Sequence, residues 1–204
     1  MEKKKNDFIA QGSILAIASI LVRVMGMIYR IPMTAIIGDK GNGFYSYAYS
    51  VYTILLLLFS YSLPLAVSKM VSAKAQLGQW RNVKRVFICA IAFAIGIGTT
   101  FGLIVLIGAQ FFTRVFFHSE LAAIALRFMA PTILIMALLG VFRGFFQGLQ
   151  NTLPTAVSQI VEGLINAIMS VVFAYFLFDF GHGMDAAGGT TDLGYAWGAA
   201  GGAI

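Results

Sequence analysis

A single cysteine in 204 residues, Cys89, excludes an internal disulfide framework. It sits in the apolar stretch VFICAIAF and reads as a small hydrophobe. Charge is scarce as well. Asp, Glu, Lys and Arg make up 11% of the chain, against about 25% in an ordinary soluble domain. No GxxxxGK[ST] motif occurs, so the chain carries no nucleotide-driven motor of its own. HExxH, CxxC and paired acidic metal-binding motifs are also missing. No cofactor or metal is therefore expected, and no stretch between the apolar runs has the length of a soluble domain.

Hydrophobic residues make up 59% of the chain, and the mean hydropathy is +0.86. They gather into runs of about 20 residues or more, enough to cross a hydrocarbon core of about 30 Å. The expected fold is an all-α integral membrane protein, with membrane lipids as its surroundings. The net charge of +6 then reads as topology rather than nucleic-acid affinity, because the basic residues sit between apolar spans. The opening MEKKK and the run after it do not form a signal peptide. The apolar part far exceeds an h-region of about 7–15 residues, and arginines interrupt it.

The first span is expected over residues 8–37, ended by the turn signal GDKGNG at 38–43. A second covers 44–70, with Pro64 as a kink. A basic polar loop, SAKAQLGQWRNVKR, separates it from a third span at 86–112. The fourth covers 121–149 and the fifth 155–178, joined by QNTLP. A Gly- and Asp-rich loop, DFGHGMDAAGGTTDLG, leads to a sixth apolar segment that reaches Ile204 after about 10 residues, half the length a spanning helix needs. Lys3, Lys4, Lys5, Lys74, Arg81, Lys84 and Arg85 fall on alternate connections, which places the N-terminus in the cytoplasm. Gly140, Gly144 and Gly148, and likewise Gly98 and Gly102, recur every four residues, putting small residues on one helix face for close backbone packing.

Arg23 and Arg30 interrupt the first span. An intramembrane arginine costs at least about 2.5 kcal/mol on insertion scales and usually faces a bundle interior or a wet cavity. Seven positions apart, the two lie on one helix face, about 10 Å apart along the axis. Glu162 is the one acid well inside a span. One acid cannot neutralise both arginines, which points to an exogenous anion. Two guanidinium forks would seat a diphosphate head group through bidentate contacts, although a carboxylate or a nucleotide fits the same chemistry. Arg143 and Gln147 share a face near the end of the fourth span, either snorkelling to the interface or lining the cavity. Glu162 and Asn166 share a face of the fifth, where Glu162 is a proton or cation site or the counter-ion of an arginine. Lys69 and Arg127 lie near helix ends and are expected to snorkel.

The stretches RVMGMIYRIPMTAIIGDKGNGFYSYAYSVY, LPLAVSKMVS and VFRGFFQGLQNTLPTAVSQIVEGL resemble the polysaccharide-biosynthesis flippases of the multidrug/oligosaccharidyl-lipid/polysaccharide superfamily. The resemblance runs the length of the chain. It is strongest to the branch that holds the MurJ-type lipid II flippases and the stage V sporulation protein B group. It implies two six-helix lobes around a central cavity, with alternating access to a polyprenyl-diphosphate-linked sugar at the bacterial cytoplasmic membrane. Arg23 and Arg30 match the family's first-helix cavity arginines. Gram-negative MurJ proteins carry a further arginine in the second helix, where this chain reads TILLLLFSY. Residues 1–204 would then form the N-terminal lobe, five complete spans plus a truncated sixth, with a C-terminal lobe missing. Transport would draw on the membrane potential, H+ or Na+. Three competing readings are a cation-coupled multidrug exporter of the same superfamily, a membrane enzyme acting on polyprenyl phosphates, and a non-transporting sporulation or cell-wall assembly protein. The exporter would be expected to prefer acidic cavity residues, and the enzyme would need polar catalytic loops longer than these.

Overall fold

A backbone N–H or C=O left unpaired in hydrocarbon costs several kcal/mol, so an apolar chain of this kind pairs its backbone within helices. The computed structural model describes the backbone of residues 2–188 and 192–203, and the side chains of 12–59, 61–184 and 192–203. Every regular element among them is helical: α1 (Glu2–Leu57), a π-helical turn (Leu58–Ser62), α2 (Leu63–Gln76), α3 (Trp80–Phe117), α4 (Ala122–Gly148), α5 (Leu153–Gly188) and α6 (Leu193–Gly202). Four stretches are long and apolar enough to cross a membrane: Gly12–Leu57, Trp80–Phe117, Ala122–Gly148 and Leu153–Met184. At 10 residues, α6 is too short to do so.

The helices run further than the turn signals predict. The expected turn at 38–43 reduces to one residue, Gly38, whose φ of 63° and ψ of −175° break α1 into two arms. That positive φ is open to glycine without a Cβ clash. Residues 39–43 are helical because nothing but Gly38 departs from helical angles there. The basic loop after α2 shrinks to residues 77–79. Gly78 (φ 68°) closes α2 in a Schellman motif, with Gln79 N donating to the Lys74 carbonyl and Gly78 N to the Ala75 carbonyl, each at 3.0 Å. The Gly- and Asp-rich loop after the fifth span is likewise shorter, since α5 continues helical to Gly188. Residues 189–191 of that loop, and the side chains of Lys3, Lys4 and Lys5, lie outside the described residues. The kink at Pro64 is prepared by the π-helical turn just before it. That turn absorbs the ladder bond that a proline cannot make.

Glycine decides how the helices meet. A Cβ on Gly140 would lie 2.5 Å from the Phe59 carbonyl oxygen, one on Gly144 2.5 Å from that of Pro64, and one on Gly148 2.7 Å from Val71 Cβ. The three-glycine stripe of α4 is thus the seat of the π-helical turn and α2. On the opposite contact, Gly98 and Gly102 let α3 approach Leu134 and Ala130 of α4. Wedged between the two, α4 is the most enclosed of the spans, burying Leu126, Met129, Ile133, Ala137 and Val141. In lipid such contacts replace the hydrophobic effect as the force between helices. Gly144→Ala is therefore expected to destabilise the detergent-solubilised protein by about 1–3 kcal/mol. Gly96→Ala, whose Cβ meets nothing within 4 Å, should be neutral or slightly stabilising. Equal melting temperatures for the two variants would refute this packing.

At the Gly38 break the chain is held by α6. Lys40 Nζ donates to Asp192 Oδ1 at 3.0 Å and lies 5.8 Å from the Tyr195 ring centroid. Tyr195 in turn packs edge-on against Phe178 and His182 of α5. Both arms of α1 contribute residues to the wall of the site.

Candidate functional site

Arg23 sits two turns before Arg30, and the two fall on one face of the first arm, yet they meet different surroundings. Arg23 lines a cavity of about 500 Å³. Arg30 does not reach it. Its guanidinium instead stands 6.0 Å from the Tyr45 ring centroid, a cation–π contact at the outer edge of the useful range of about 6 Å. The cavity reaches that level of the arm, since Tyr29 is on its wall, but the Arg30 side chain is turned to the Tyr45 ring instead.

Four elements wall the cavity. The first arm of α1 supplies Ser19, Arg23 and Tyr29, and the second arm supplies Tyr49. Tyr61 comes from the π-helical turn, Met136 and Arg143 from α4, and Gln159, Glu162 and Asn166 from α5. Of the residues singled out in the sequence, Arg23, Arg143, Glu162 and Asn166 converge here, whereas Arg30 and Gln147 are not on the wall. Gln147 is half-buried one turn beyond Arg143. Ser19, Gln159 and the tyrosines escape a reading that looks for charge, since no sequence rule distinguishes a cavity-facing tyrosine from a packed one. Lys69 and Arg127 are exposed, away from the cavity. Cys89 is free and exposed on α3.

Arg143 Nη2 and Glu162 Oε2 form an ion pair between α4 and α5. The Arg143 side chain is 11% exposed and that of Glu162 40%, so the arginine is the buried partner and the carboxylate faces the cavity. Arg143 Nε also donates to Ser158 Oγ at 3.1 Å, and Ser158 Oγ donates to the Thr155 carbonyl at 2.9 Å. Asn166 accepts a hydrogen bond from Ser170 at 3.2 Å. With Glu162 committed to Arg143, no carboxylate among the described residues lies within ion-pair distance of Arg23. The cavity therefore presents one uncompensated positive charge beside one internally balanced pair. Among the described residues no cluster of His, Cys, Asp or Glu suited to a metal comes together.

The tyrosine wall is layered. Tyr45 and Tyr49 stack with centroids 5.6 Å apart and planes at 13°, and Tyr52 tilts against Tyr49 at 6.2 Å. Tyr45 and Tyr52 are buried. The Tyr52 hydroxyl lies at hydrogen-bond distance, 3.3 Å, from Thr132 Oγ1. Tyr49 is thus held at the surface of the cavity by two fixed rings behind it.

A family model described as "Polysaccharide biosynthesis protein" matches residues 8–189. The lipid II flippase MurJ of Bacillus subtilis (strain 168) is 27% identical over 163 residues, covering 76% of this chain and 30% of the flippase. Stage V sporulation protein B of the same organism is 26% identical over 184 residues, covering 90% of this chain and 36% of that protein. The chain thus spans about a third of the length of these relatives. No solved structure matches it.

Proposed function

Because this chain belongs to the polysaccharide biosynthesis protein family, we propose that it is part of a flippase for polyprenyl-diphosphate-linked cell-wall or polysaccharide precursors. Substrates resembling lipid II would cross the bacterial cytoplasmic membrane by alternating access. The observation that supports this most is the Arg23 guanidinium, uncompensated on the wall of a membrane cavity whose one carboxylate is already paired. A guanidinium fork with no ion-pair partner suits a diphosphate, which supplies negative charge and paired acceptor oxygens. A cation-coupled exporter would be better served by a free carboxylate, and Glu162 is not free. No step in this transport makes or breaks a covalent bond, so the protein is read as a transporter and not an enzyme. Coupling to H+ or Na+ through Glu162 would first have to break its pair with Arg143.

The stretch Gly12–Leu57 is 46 residues long, about 69 Å of helix and more than twice the core thickness. With the break at Gly38 we read its arms as two crossings, giving five in all. The N-terminus is read as cytoplasmic from the basic residues at 74–85. Transporters of this kind bind substrate between two repeats and rock one against the other. The cavity wall described here would form one side of such an interface.

Complementation tests the function: the full-length gene should rescue a strain depleted of its lipid II flippase, and failure with normal expression would overturn the substrate assignment. Topology is checked separately. A cysteine replacing Arg81 should be shielded from an impermeant thiol reagent in intact cells, and one replacing Gly188 should be labelled. The reverse pattern would overturn the orientation.

A further inference from the structure

The segment that lies on the glycine stripe of α4 is out of step with it by one residue. Gly140, Gly144 and Gly148 each meet a backbone carbonyl: that of Phe59, of Pro64 and of Ser68, at 2.5, 2.5 and 2.8 Å from where a Cβ would stand. The glycines are spaced four and four, whereas the carbonyls are spaced five and then four. The extra residue is taken up in the π-helical turn, which Leu63 N closes by donating to the Leu58 carbonyl five residues back. Single π-helical turns within α-helices are rare and recur at functional sites.

Neither hydrogen-bond ladder can be completed here. In the π pattern the Phe59 carbonyl needs the N–H of residue 64, and in the α pattern the Ser60 carbonyl needs it. Residue 64 is proline and has none. The α form adds a clash of the proline ring with that carbonyl, and the π form has the rarer backbone geometry, so the two compete closely. Passing from π to α moves α2 by one residue on α4, about 100° of rotation and about 1.5 Å of advance. The stripe now buried, Pro64, Val67 and Val71, gives way to its neighbour, Leu63, Ala66 and Met70. These are also apolar, and Ala66 and Met70 are exposed in the present setting. Leu and Met are larger than what they replace, Ala is smaller, and the methionine adapts its shape. The glycines of the seat raise no Cβ against the turning helix. At its other end α2 stops at Gly78, whose φ of 68° supplies a second swivel.

We propose that the π-helical turn is a rotary joint: α2 turns in the glycine groove of α4 between the π setting seen here and an α setting, and carries Tyr61 off the cavity wall as it does so. Tyr61 belongs to the turn and lines the cavity. A ligand that touches it therefore binds the two settings unequally and shifts their balance. The joint rests on the flippase reading for its use in transport, and adds to that reading the element that moves.

The test uses the full-length protein in nanodiscs with Cys89→Ser and spin labels on Leu65→Cys and Ile107→Cys, two exposed positions on α2 and α3. Pulsed electron resonance should give two distances differing by up to about 8 Å, the chord of a 100° turn at a helix surface about 5–6 Å from its axis. Pro64→Ala restores the N–H that the α ladder lacks, and should shift the ratio about fivefold toward the second distance, the worth of one hydrogen bond. Deleting Ser60 sets Phe59 and Pro64 four apart, so an α-helix keeps the present seat and only the first distance should remain. Flipping of a fluorescent lipid II by that deletion in proteoliposomes should fall about tenfold or more, because a conformational step is blocked. A single distance shared by wild type and Pro64→Ala would overturn the joint, as would wild-type flipping by the deletion. The wild-type and Pro64→Ala distances decide the matter even where the deletion does not fold. If the wild-type protein flips no lipid II, the flippase reading fails while the distances still decide the joint.

Discussion

Arg23→Ala in the full-length protein is expected to lower translocation of a lipid-linked diphosphate by about 30- to 4,000-fold, with membrane abundance unchanged. The size follows from losing one partner of a desolvated, hydrogen-bonded charge pair, about 2–5 kcal/mol. The unchanged abundance follows from the surroundings. Arg23 is exposed on its arm of α1 and forms no ion pair among the described residues, so its removal strands no buried counter-charge. Arg23→Lys should recover little, since an ammonium cannot make the bidentate contact. Arg30→Ala should cost less than Arg23→Ala, because Arg30 stands over Tyr45 and off the cavity wall. Initial rates of flipping in proteoliposomes, normalised to inserted protein, provide the measurement. Wild-type rates for Arg23→Ala would refute the anion seat.

Glu162→Leu is expected to destabilise the protein by about 3 kcal/mol, and Arg143→Leu by clearly less. Breaking a buried pair from one side costs about 3–5 kcal/mol because it leaves the other charge uncompensated. Here the two sides are unequal. Removing Glu162 strands a guanidinium whose side chain is 11% exposed, held only by Ser158. Removing Arg143 strands a carboxylate that is 40% exposed to the cavity, where screening discounts the penalty. The double variant Arg143→Met with Glu162→Leu should regain most of the loss, since an apolar replacement of both partners is often neutral. Melting of the detergent-solubilised variants by size-exclusion recovery tests this. Equal losses for the two single variants would show that the burial asymmetry carries no energy.

What the two experiments share is a division of labour between arginines that look alike along the chain. Arg23, Arg30 and Arg143 are each a lone guanidinium in an apolar run, and spacing alone places Arg23 and Arg30 together. Helical period says which residues share a face, but it says nothing of which of them a ring on another segment draws aside. The break at Gly38 turns the second arm back beside the first, and so Arg30 meets Tyr45 while Arg23 meets open space. In the same way, Glu162 had two readings until α4 and α5 were set side by side. The pairing of Arg143 with Glu162 depends on two helices meeting in register, which no local pattern encodes.

Composition by itself determined that this is a membrane protein built of helices, because 59% hydrophobic residues in long runs admit few other ways to pair a backbone. Local pattern also determined the small-residue stripes, since only a glycine every fourth position lets α2 approach α4 so closely. Turn chemistry was a poorer guide to the helix ends. GDKGNG and the Gly- and Asp-rich stretch before α6 read as loops, yet most of their residues are helical. Glycine and aspartate permit a turn without requiring one, and helix packing overrides a weak local preference. Only the tertiary structure decided what the cavity contains. The residues on its wall come from four elements and stand up to 147 positions apart in the chain, Ser19 to Asn166. A site of that kind is a property of how helices cross, and the chain states it nowhere in a single segment.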